Sequence, residues 1–350
     1  MDSARQAPVV SIITPTFNHE AYIGECIESV LGQSYQNWEQ FVVDDGSTDA
    51  TAEIVRGFAD HRVKLITQEN RGLLRLAETY NEVMARSTGS LIAILEGDDF
   101  WPAHKLEKLV PTFENERVGL AYGVTERTTA SGTPSGRHIP GAAVKAYPGA
   151  LRNSPIGSAA IAMADPVIRT FTFPCSVIIR RDALDKIGGF QQVEGLPFTD
   201  YPTFLELALR TEFAFVNEIT GYWRQLGGSG TRVRDELDTM RILDQLIDER
   251  FAENWDSLAV HLPAPADLEP ARAAQRVKGH FDMGRRYALH SDWKRARRSY
   301  ARAAFGTAGR APLFRTAALV GLSASLFRRN MEPVARLVVG RNGDFRHLYA

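Results

Sequence analysis

Carboxylate pairs stand at two places in this 350-residue chain where a short apolar run ends. Asp44-Asp45 closes the run QFVV, and Asp98-Asp99 follows SLIAILE and one glycine. Such pairs suit Mg²⁺ or Mn²⁺, which take one or two protein carboxylates together with waters and phosphate oxygens. The alternative is that these acids only favour turns and cap helices. Two pairs after successive strands make a metal and phosphate site the stronger interpretation, and Asp200 adds a third acidic turn.

Strand and helix signals alternate over the first hundred residues. The predicted strands are Val9–Thr14, Gln40–Asp44, Arg62–Thr67 and Ser90–Glu96, and two of the predicted helices span 51–58 and 73–85. Another helix is predicted after the first strand, with Asn18 as its N-cap and Gly32 at its end. This alternation predicts an α/β fold with a mostly parallel sheet flanked by helices. Ligands bind such sheets beyond the carboxyl ends of the strands, where the acidic pairs lie.

The middle of the chain gives weaker signals. Gly119–Thr170 is rich in Gly, Ser, Thr, Pro and Ala, which predicts a functional or mobile loop. Regular patterns then return, with a strand and a short helix over Cys175–Phe190, a helix over 201–210 and a strand over 213–217.

The last third of the chain has a helical pattern. It begins near Arg232, and residues 273–305 resemble one tetratricopeptide-type hairpin that bends near His290. Residues 271–350 carry 17 Lys+Arg and 4 Asp+Glu, whereas the chain as a whole is nearly neutral with 41 and 42. We therefore predict two domains, an acidic one over residues 1–231 and a basic helical one over 232–350.

Composition restricts the class of protein. A hydrophobic fraction of 44% and a charged fraction of 24% are ordinary for a globular protein with a sizeable core. Cys26 and Cys175 show no metal-ligand spacing, which predicts inert, buried thiols in a reducing compartment. The sequence has no run of eighteen apolar residues and no apolar segment near residue 1. We expect a cytoplasmic protein, with the inner face of the membrane as a candidate location.

Three motifs at this spacing resemble a known enzyme family. PTFN, VDDGSTD and the GDD of GSLIAILEGDDFWPAHKLEK are similar to those of the inverting glycosyltransferases of family two, which have the GT-A fold. The resemblance covers roughly residues 8–230 and is strongest over the first 110. IIRRDALDKIGGF and TDYPTFLELAL are similar to later blocks of that family. This resemblance implies the transfer of one sugar from a nucleotide-sugar donor to an acceptor hydroxyl, in the synthesis of a cell-surface polysaccharide or glycan.

The resemblance assigns donor-binding roles to three residues, and a fourth is a weaker candidate. Pro15 and Phe17 would line the pocket for the nucleobase. Asp45 would accept a hydrogen bond from the imide N–H of the base, which favours a UDP or dTDP donor. Arg71, in the NRG segment, is a candidate donor contact, and a solvated surface position is the alternative.

The resemblance also assigns the reaction chemistry. Asp99 would be the direct ligand of Mn²⁺ or Mg²⁺, and Asp98 would hold the ribose or share the metal. Asp200 would be the catalytic base. The chemistry needs such groups, because negative charge builds on the departing diphosphate and the attacking hydroxyl must lose a proton. Arg224 is either a diphosphate contact or an ordinary surface arginine.

Four departures from the family pattern affect this assignment. Glu96 replaces a common Asp, and Thr199 replaces the Glu that usually precedes the base. Leu226 takes the position of a His that can help to hold metal or diphosphate. The spacing from Gly72 to Asn81 is longer than usual, which predicts a shifted helix between them.

Two other functions are compatible with the sequence. A sugar nucleotidyltransferase needs a glycine-rich basic loop after the first strand, and PTFNHE supplies neither glycine nor a basic loop. A catalytically degenerate scaffold protein would explain Thr199 and Leu226, whereas the intact aspartates argue for an enzyme. The expected partners are a nucleotide-sugar donor and a glycan or lipid-linked acceptor.

The basic C-terminal region has two interpretations. Gly309–Arg341 alternates apolar stretches with arginines, which is typical of helices at an anionic membrane surface. The alternative is a helical cap packed on the acidic catalytic domain. Nucleic-acid binding is not expected, because aromatic residues are not interleaved with the charges.

Overall fold

A computed structural model describes residues 7–138, 154–165, 172–226, 236–306 and 311–329. The chain forms two compact units. The first comprises Met1–Met163, Thr170–Leu226 and Asn254–His261, and the second comprises Ala164–Arg169, Gly227–Glu253 and Leu262–Ala350. The boundary that the sequence predicts after residue 231 lies outside the described residues. Residues 254–261 belong to the first unit, although the predicted boundary placed them in the C-terminal region.

In the described residues, the first unit contains one eight-stranded sheet in the order β3-β2-β1-β4-β7-β5-β6, with β8 beside β5. The strands are β1 (Val10–Thr16), β2 (Trp38–Asp44), β3 (Val63–Thr67), β4 (Leu91–Ile94), β5 (Val118–Thr128), β6 (Pro134–His138), β7 (Val177–Arg180) and β8 (Glu212–Arg224). The pairs β3–β2, β2–β1, β1–β4 and β5–β8 are parallel, whereas β7 runs antiparallel to β4 and β5. The predicted α/β class with a mostly parallel central sheet is therefore confirmed.

Seven α-helices begin within the described part of the first unit. They are α1 (Ile23–Leu31), α2 (Thr51–Arg56), α3 (Leu76–Arg86), α4 (Lys105–Leu109), α5 (Ser158–Ala164), α6 (Arg181–Lys186) and α7 (Asp200–Ala208). β1, β2 and β4 are buried almost throughout, which is why these strands read as continuous apolar runs. The core contains side chains of these strands and of α1 and α4, including Ile12, Val42, Ala93, Ile27 and Leu106.

Helix α1 begins at Ile23 with Tyr22 as the N-cap residue, so the prediction of Asn18 as the N-cap was wrong. Asn18 has a φ of 54° in the left-handed region, which Asn tolerates better than most residues. Its Oδ1 accepts the backbone N–H of Thr48 at 2.8 Å, and its own N–H donates to the hydroxyl of Ser47 at 2.8 Å. The Asn side chain therefore joins two loops instead of capping a helix.

Two strands lie where the sequence predicted an irregular loop. β5 and β6 fall within Gly119–Thr170, and β8 continues to Arg224, well beyond the predicted end at Asn217. β5 pairs with both β7 and β8, so packing against buried neighbours stabilises a segment whose local pattern is weak.

The second unit is helical, as its pattern predicted. It contains α8 (Glu236–Asn254), α9 (Pro265–Leu289), α10 (Trp293–Phe305) and α11 (Pro312–Leu326). The predicted hairpin bends at residues 290–292, where the carboxylate of Asp292 accepts the N–H of Arg295 at 3.0 Å and caps α10. Phe281, Tyr300 and Ala318 form part of its apolar core. No helix of the described residues has both the length and the apolar character that crossing a membrane requires.

Substitution of Glu39 tests a buried network at the amino-terminal ends of the strands. Burial would raise the pKa of Glu39, but Lys64 at 2.7 Å, the N–H and hydroxyl of Thr88 and the hydroxyl of Ser11 lower it to about 2. The carboxylate therefore stabilises the fold above the unfolded pKa of about 4.5, and this stabilisation disappears as the pH falls towards 2. We expect Glu39→Gln to lower the free energy of unfolding by ~1–3 kcal/mol at pH ~7, measured by urea unfolding.

The matched control is Glu53→Gln, an exposed position on α2 where we expect no change. The difference between wild type and Glu39→Gln should shrink as the pH falls below ~4. A difference that is constant with pH would contradict the assigned network.

Candidate active site

The loops after β1 and β2 are joined by side-chain to backbone hydrogen bonds. The carboxylate of Asp49 accepts the N–H of Glu20 at 3.0 Å, and the carboxylate of Glu20 accepts the N–H of Ala50 at 3.0 Å. The hydroxyl of Thr51 accepts the N–H of His19 at 2.8 Å. Because β1 and β2 are parallel neighbours, both loops lie at the carboxyl edge of the sheet, and these bonds hold them together.

Asp45 lies in the loop after β2 and holds a second loop in place. Its Oδ1 accepts the amide N–H of Gln68 at 2.6 Å and the backbone N–H of Arg71 at 2.9 Å, and its Oδ2 accepts the N–H of Gly72 at 3.0 Å. An ionised carboxylate accepts about four hydrogen bonds, so one position remains for a ligand. Gly46 directly follows Asp45 and has a φ of +77°. A Cβ at this position would lie 2.9 Å from the backbone N of Asn70, so glycine lets the two loops approach closely.

Pro15 and Phe17 lie at the end of β1, beside the loop that carries Asp45. Pro15 pairs with Val43 of β2 and is half-buried, whereas Phe17 is 43% exposed. The backbone N–H of Asp45 donates to the carbonyl of Thr16 at 2.9 Å, so this carboxylate and the two β1 residues share one strand end. An exposed aromatic ring at this place can stack on a flat ligand.

A cavity of about 150 Å³ lies next to the Asp45 loop. β2, β3 and α3 contribute to its lining, and so do Gln68 and Arg71. The guanidinium of Arg71 pairs with Glu82 at 2.7 Å, and the amide of Gln68 also donates to the hydroxyl of Thr79 at 3.3 Å. The predicted donor contact Arg71 therefore lies beside Asp45, to which its backbone N–H donates. Its side chain is engaged in the ion pair with Glu82.

The acidic turn Glu96–Asp99 follows β4, directly beside the end of β1. Gly97 is required there because a Cβ would lie 2.5 Å from the hydroxyl oxygen of Thr16 and 2.9 Å from Nδ1 of His19. The N–H of Gly97 donates to the carbonyl of Pro15 at 2.9 Å. The turn therefore packs against the loop that carries Pro15 and Phe17.

Crowding of like charges dominates the electrostatics of this turn. Burial and the nearby charge of Asp98 raise the pKa of Glu96 to about 8. Burial and the charges of Asp98 and Glu96 also raise the pKa of Asp99 well above its ordinary value. Asp98 itself is half-buried, whereas Asp99 is only 3% exposed. Added positive charge would therefore stabilise the ionised form of this cluster.

Arg224, at the end of β8, is the cation that holds the acidic turn. It is 3% exposed, so the interpretation as a surface arginine was wrong. Its guanidinium donates to the carbonyls of Asp98 at 2.8 Å and Ala130 at 2.7 Å, and pairs with Glu25 at 2.5 Å. Its backbone N–H donates to Oδ1 of Asp99 at 2.8 Å. With these partners the guanidinium is a structural clamp, which also argues against a direct diphosphate contact.

Lys105 is a second buried basic side chain beside the turn, and no sequence pattern singled it out. Its Nζ donates to the carbonyl of Cys175 at 2.6 Å and lies 3.7 Å from the ring centre of Trp101. Burial lowers the pKa of Lys105 to about 7, although the negative charges of Glu96 and Asp99 oppose this shift. Burial and the negative charge of Asp99 raise the pKa of the Cys175 thiol well above its ordinary value. Both cysteines are free and buried, as predicted.

Asp200 is the first residue of α7. Burial raises its pKa to about 6, although the nearby backbone N–H groups of Tyr201 and of Asp200 itself act in the opposite direction. The charge of Asp200 raises the pKa of Glu96, and the charges of Glu96, Asp200 and Asp98 all raise that of the buried Tyr80. The structure thus brings Asp200 within electrostatic range of the acidic turn.

Asn81 and Gln192 hold the segment that leads to Asp200, and sequence reasoning did not assign them roles. Asn81 exchanges two hydrogen bonds with the backbone of Phe190, at 2.7 and 3.0 Å. Gln192 accepts the N–H of Ala77 at 3.0 Å and donates to the carbonyls of Leu73 and Leu196. Polar side chains on or beside a helix carry no local signal for such distant partners.

Thr199 and Leu226, two of the departures from the family pattern, lie in described parts of the chain. Thr199 is buried directly before α7, and its carbonyl accepts the N–H of Thr203. Leu226 is the last described residue before 227–235, which lie outside the described residues.

The acidic turn fits a divalent cation bound together with a phosphate ligand. Oε2 of Glu96 is buried and has no hydrogen-bond partner among the described residues. No group of three or more His, Cys, Asp and Glu side chains in the described ranges is arranged to hold a metal alone. One or two carboxylates suffice when phosphate oxygens and waters complete the coordination. Glu96 has an oxygen without a hydrogen-bond partner among the described residues, and the side chain of Asp98 is partly exposed. These two carboxylates are therefore the candidate ligands of the cation.

Comparison with protein families supports this interpretation of the fold and the site. The model described as "Glycosyl transferase family 2" matches residues 11–188, just over half of the chain. The chain belongs to glycosyltransferase family 2. The matched region contains β1 to β4, the Asp45 loop and the acidic turn.

Two curated relatives of this family 2 chain are bacterial glycosyltransferases by name. The putative teichuronic acid biosynthesis glycosyltransferase TuaG of Bacillus subtilis is 34% identical over 153 residues, which are 43% of this chain and 60% of TuaG. UDP-Glc:alpha-D-GlcNAc-diphosphoundecaprenol beta-1,3-glucosyltransferase WfgD of Escherichia coli is 34% identical over 167 residues, 47% of this chain and 64% of WfgD. The matches span less than two thirds of either relative.

Solved structures of similar fold are also glycosyltransferases. S. aureus TarS 1-349 in complex with UDP-GlcNAc has a TM-score of 0.53 at 18% identity, covering 89% of this chain and 92% of TarS 1-349. The mannosyltransferase PcManGT of Pyrobaculum calidifontis, in complex with GDP-Man and Mn²⁺, has a TM-score of 0.51 at 19% identity, covering 97% and 81%. At this identity the similarity shows the GT-A fold alone.

Removal of the Arg224 guanidinium tests the clamp on the acidic turn of this family 2 chain. We expect Arg224→Gln to lower the free energy of unfolding by about 3 kcal/mol, because two carbonyls and one carboxylate lose a buried donor. The matched variant Glu25→Gln removes a partner whose side chain is 50% exposed and should cost less than about 1 kcal/mol. Chemical unfolding of both variants measures the difference, and equal losses would contradict a clamp centred on Arg224.

Proposed function

We propose that this chain is an inverting, metal-dependent glycosyltransferase that moves one sugar from a nucleotide-diphosphate sugar to an acceptor hydroxyl. One observation carries the proposal: Asp200, at the start of α7, lies close enough to the acidic turn after β4 for its charge to contribute to the raised pKa of Glu96. Donor binding and proton removal need carboxylates in two such positions. Membership of glycosyltransferase family 2 supports the reaction class.

The donor is assigned to the carboxyl edge of β1 and β2. Phe17 offers an exposed ring for stacking on the nucleobase, and Pro15 lines the same strand end. Asp45 accepts three hydrogen bonds from the loop after β3 and keeps one acceptor position for the imide N–H of uracil or thymine. Arg71 fixes this loop through its backbone. A UDP or dTDP donor follows from an acceptor at this position, and the name of WfgD specifies a UDP-sugar for that enzyme.

The metal is assigned to the acidic turn. The sequence resemblance made Asp99 the direct ligand, with Asp98 on the ribose or sharing the metal. The burial of Asp99 and the Arg224 N–H on its carboxylate favour Asp98 as the ligand instead, with Glu96 beside it. Asp99 is then a positioning residue that fixes the turn against β8. A Mg²⁺ or Mn²⁺ held there would offset the charge that develops on the departing diphosphate.

Asp200 is assigned as the general base. Its carboxylate accepts the proton of the acceptor hydroxyl while the hydroxyl oxygen bonds to the anomeric carbon of the donor sugar. The bond from that carbon to the diphosphate oxygen breaks in the same displacement, and the nucleoside diphosphate leaves with the electron pair. A single displacement inverts the configuration. A pKa of about 6 suits a base that is ionised at neutral pH and still binds a proton.

The acceptor is assigned to the glycans of a cell-surface polysaccharide, in free or lipid-linked form. The names of TuaG and WfgD state teichuronic acid biosynthesis and a GlcNAc-diphosphoundecaprenol acceptor for those relatives. An enzyme that uses a nucleotide sugar and such an acceptor would work in the cytoplasm, at the inner face of the membrane.

Replacement of Asp200 tests the base. We expect Asp200→Asn to reduce kcat by at least ~100-fold while the affinity for the nucleotide sugar stays within a few-fold, because the amide cannot accept the proton. The measurements are steady-state transfer kinetics and calorimetric titration with UDP. A parallel loss of kcat and donor affinity would remove Asp200 from the base role.

The pH dependence of the wild type gives an independent check of the same residue. Because Asp200 must be ionised, kcat/KM should rise as the pH increases through about 6 and level off above it. The residual activity of Asp200→Asn should lack this rise. The same step in wild type and variant would assign it to a different group.

Comparison of Asp98→Asn with Asp99→Asn tests which carboxylate holds the metal. We expect Asp98→Asn to weaken Mn²⁺-dependent binding of UDP by ~10–100-fold. Asp99→Asn keeps an oxygen for the N–H of Arg224 and should weaken binding less. Calorimetric titration of UDP at fixed Mn²⁺ measures both, with thermal unfolding as the control for folding. A larger loss for Asp99→Asn would return the ligand role to Asp99.

A further inference from the structure

The helical unit contains a segment whose charge is entirely positive. Residues 293–329 hold nine Lys and Arg residues and no Asp or Glu. Some of these cations are used inside the unit. Arg297 donates to the carbonyl of Ser325 at 3.3 Å, and Arg315 donates to the carbonyls of Ala304 at 3.0 Å and Gly306 at 2.8 Å. These bonds tie α10 and α11 side by side in opposite directions.

Other cations of α10 are exposed. Lys294, Arg298 and Arg302, which we call the basic ridge, follow one another at intervals of four residues and therefore lie along one face of the helix. In the described ranges none of these three side chains forms an ion pair or a hydrogen bond. Ala296, Ser299 and Ala303 lie on the opposite, buried face. The basic ridge is thus free for an anionic partner.

Helix α11 exposes large apolar side chains. We call them the apolar stripe: Leu313, Leu319, Val320, Leu326 and Phe327, of which Phe327, just after the helix, is 77% exposed. The other face of α11 is also apolar and packs in the core of the unit through Ala317 and Ala318. A helix that is apolar on nearly all sides normally lies in a protein core or in lipid. Phe305, at the end of α10, is exposed as well.

We propose that the basic ridge and the apolar stripe bind the surface of an anionic phospholipid bilayer. The cations would lie among the anionic head groups, and the apolar side chains would enter the boundary between head groups and acyl chains. With 15 residues, α11 is about 22 Å long, shorter than the hydrocarbon thickness of about 30 Å, so it lies in the surface and does not cross it.

Charge decides between lipid and other occupants of this face. A second copy that docked through the same residues would bring a second basic ridge against the first, and like charges repel. Residues 330–350, which follow α11, carry three Arg and two acidic residues, too few negative charges to neutralise the basic ridge. An anionic bilayer supplies both the negative charge and the apolar phase. This surface is independent of the proposed transferase reaction, because it contains none of the residues assigned to it.

Vesicle flotation of the full chain tests the proposal. We expect the wild type to float with vesicles of phosphatidylcholine mixed with phosphatidylglycerol, and not with phosphatidylcholine alone. High salt should release it because salt screens the basic ridge. Lys294→Glu/Arg298→Glu and, separately, Leu326→Ser should each lower the partition coefficient by at least about tenfold.

Matched controls separate this surface from general charge and apolarity. Lys108→Glu/Lys186→Glu reverses two exposed cations of the first unit, and Leu74→Ser removes a leucine that is 63% exposed, as Leu326 is. Both controls should bind vesicles like the wild type, and circular dichroism melting checks that every variant is folded. Equal binding to both kinds of vesicle, or equal loss in controls and test variants, would overturn the proposal. So would a dimer in light scattering that Leu326→Ser converts to a monomer without any vesicle binding by the wild type.

Discussion

Repulsion between carboxylates in the turn after β4 is the constraint on which the rest of the site depends. Glu96, Asp98 and Asp99 occupy three of four consecutive positions, and burial raises the cost of their charges. Two buried basic side chains, Arg224 from the end of β8 and Lys105 from α4, offset part of this cost. The turn is therefore strained electrostatically in a way that added positive charge relieves. A cation that arrives with a diphosphate would find its ligands already in place, so little binding energy is lost to reorganisation.

The topology of the sheet explains how this arrangement forms. Parallel neighbours β2, β1 and β4 end at one edge, which brings the Asp45 loop, Phe17 and the acidic turn together. β8 then places Arg224 against a turn that lies 126 residues earlier in the chain. Anchors such as Asn81, which pairs with the backbone of Phe190, hold the segment that leads to Asp200. Each of these hydrogen bonds is modest by itself, and together they position residues from distant parts of the chain near the acidic turn.

Local patterns explain which parts were predictable. The apolar runs of β1, β2 and β4 gave the parallel sheet, and the acidic turns at their ends gave the candidate site, because strand burial and turn preference are local properties. The long β5 and β8 were missed because pairing with distant strands, and not their own composition, stabilises them. Asn18 was assigned to a helix cap because the sequence does not reveal that Thr48 competes for its side chain. Arg224 and Lys105 look like ordinary charged residues until their burial is known.

The coupling between the acidic turn and the donor is most directly tested by titrating the wild-type protein with UDP in the presence of Mn²⁺ and again in the presence of a chelator. If the crowded carboxylates exist to hold a cation on the diphosphate, UDP should bind readily with Mn²⁺ and lose nearly all affinity when the metal is removed. Undiminished binding of UDP in the chelator would contradict a cation-dependent site at Glu96 and Asp98.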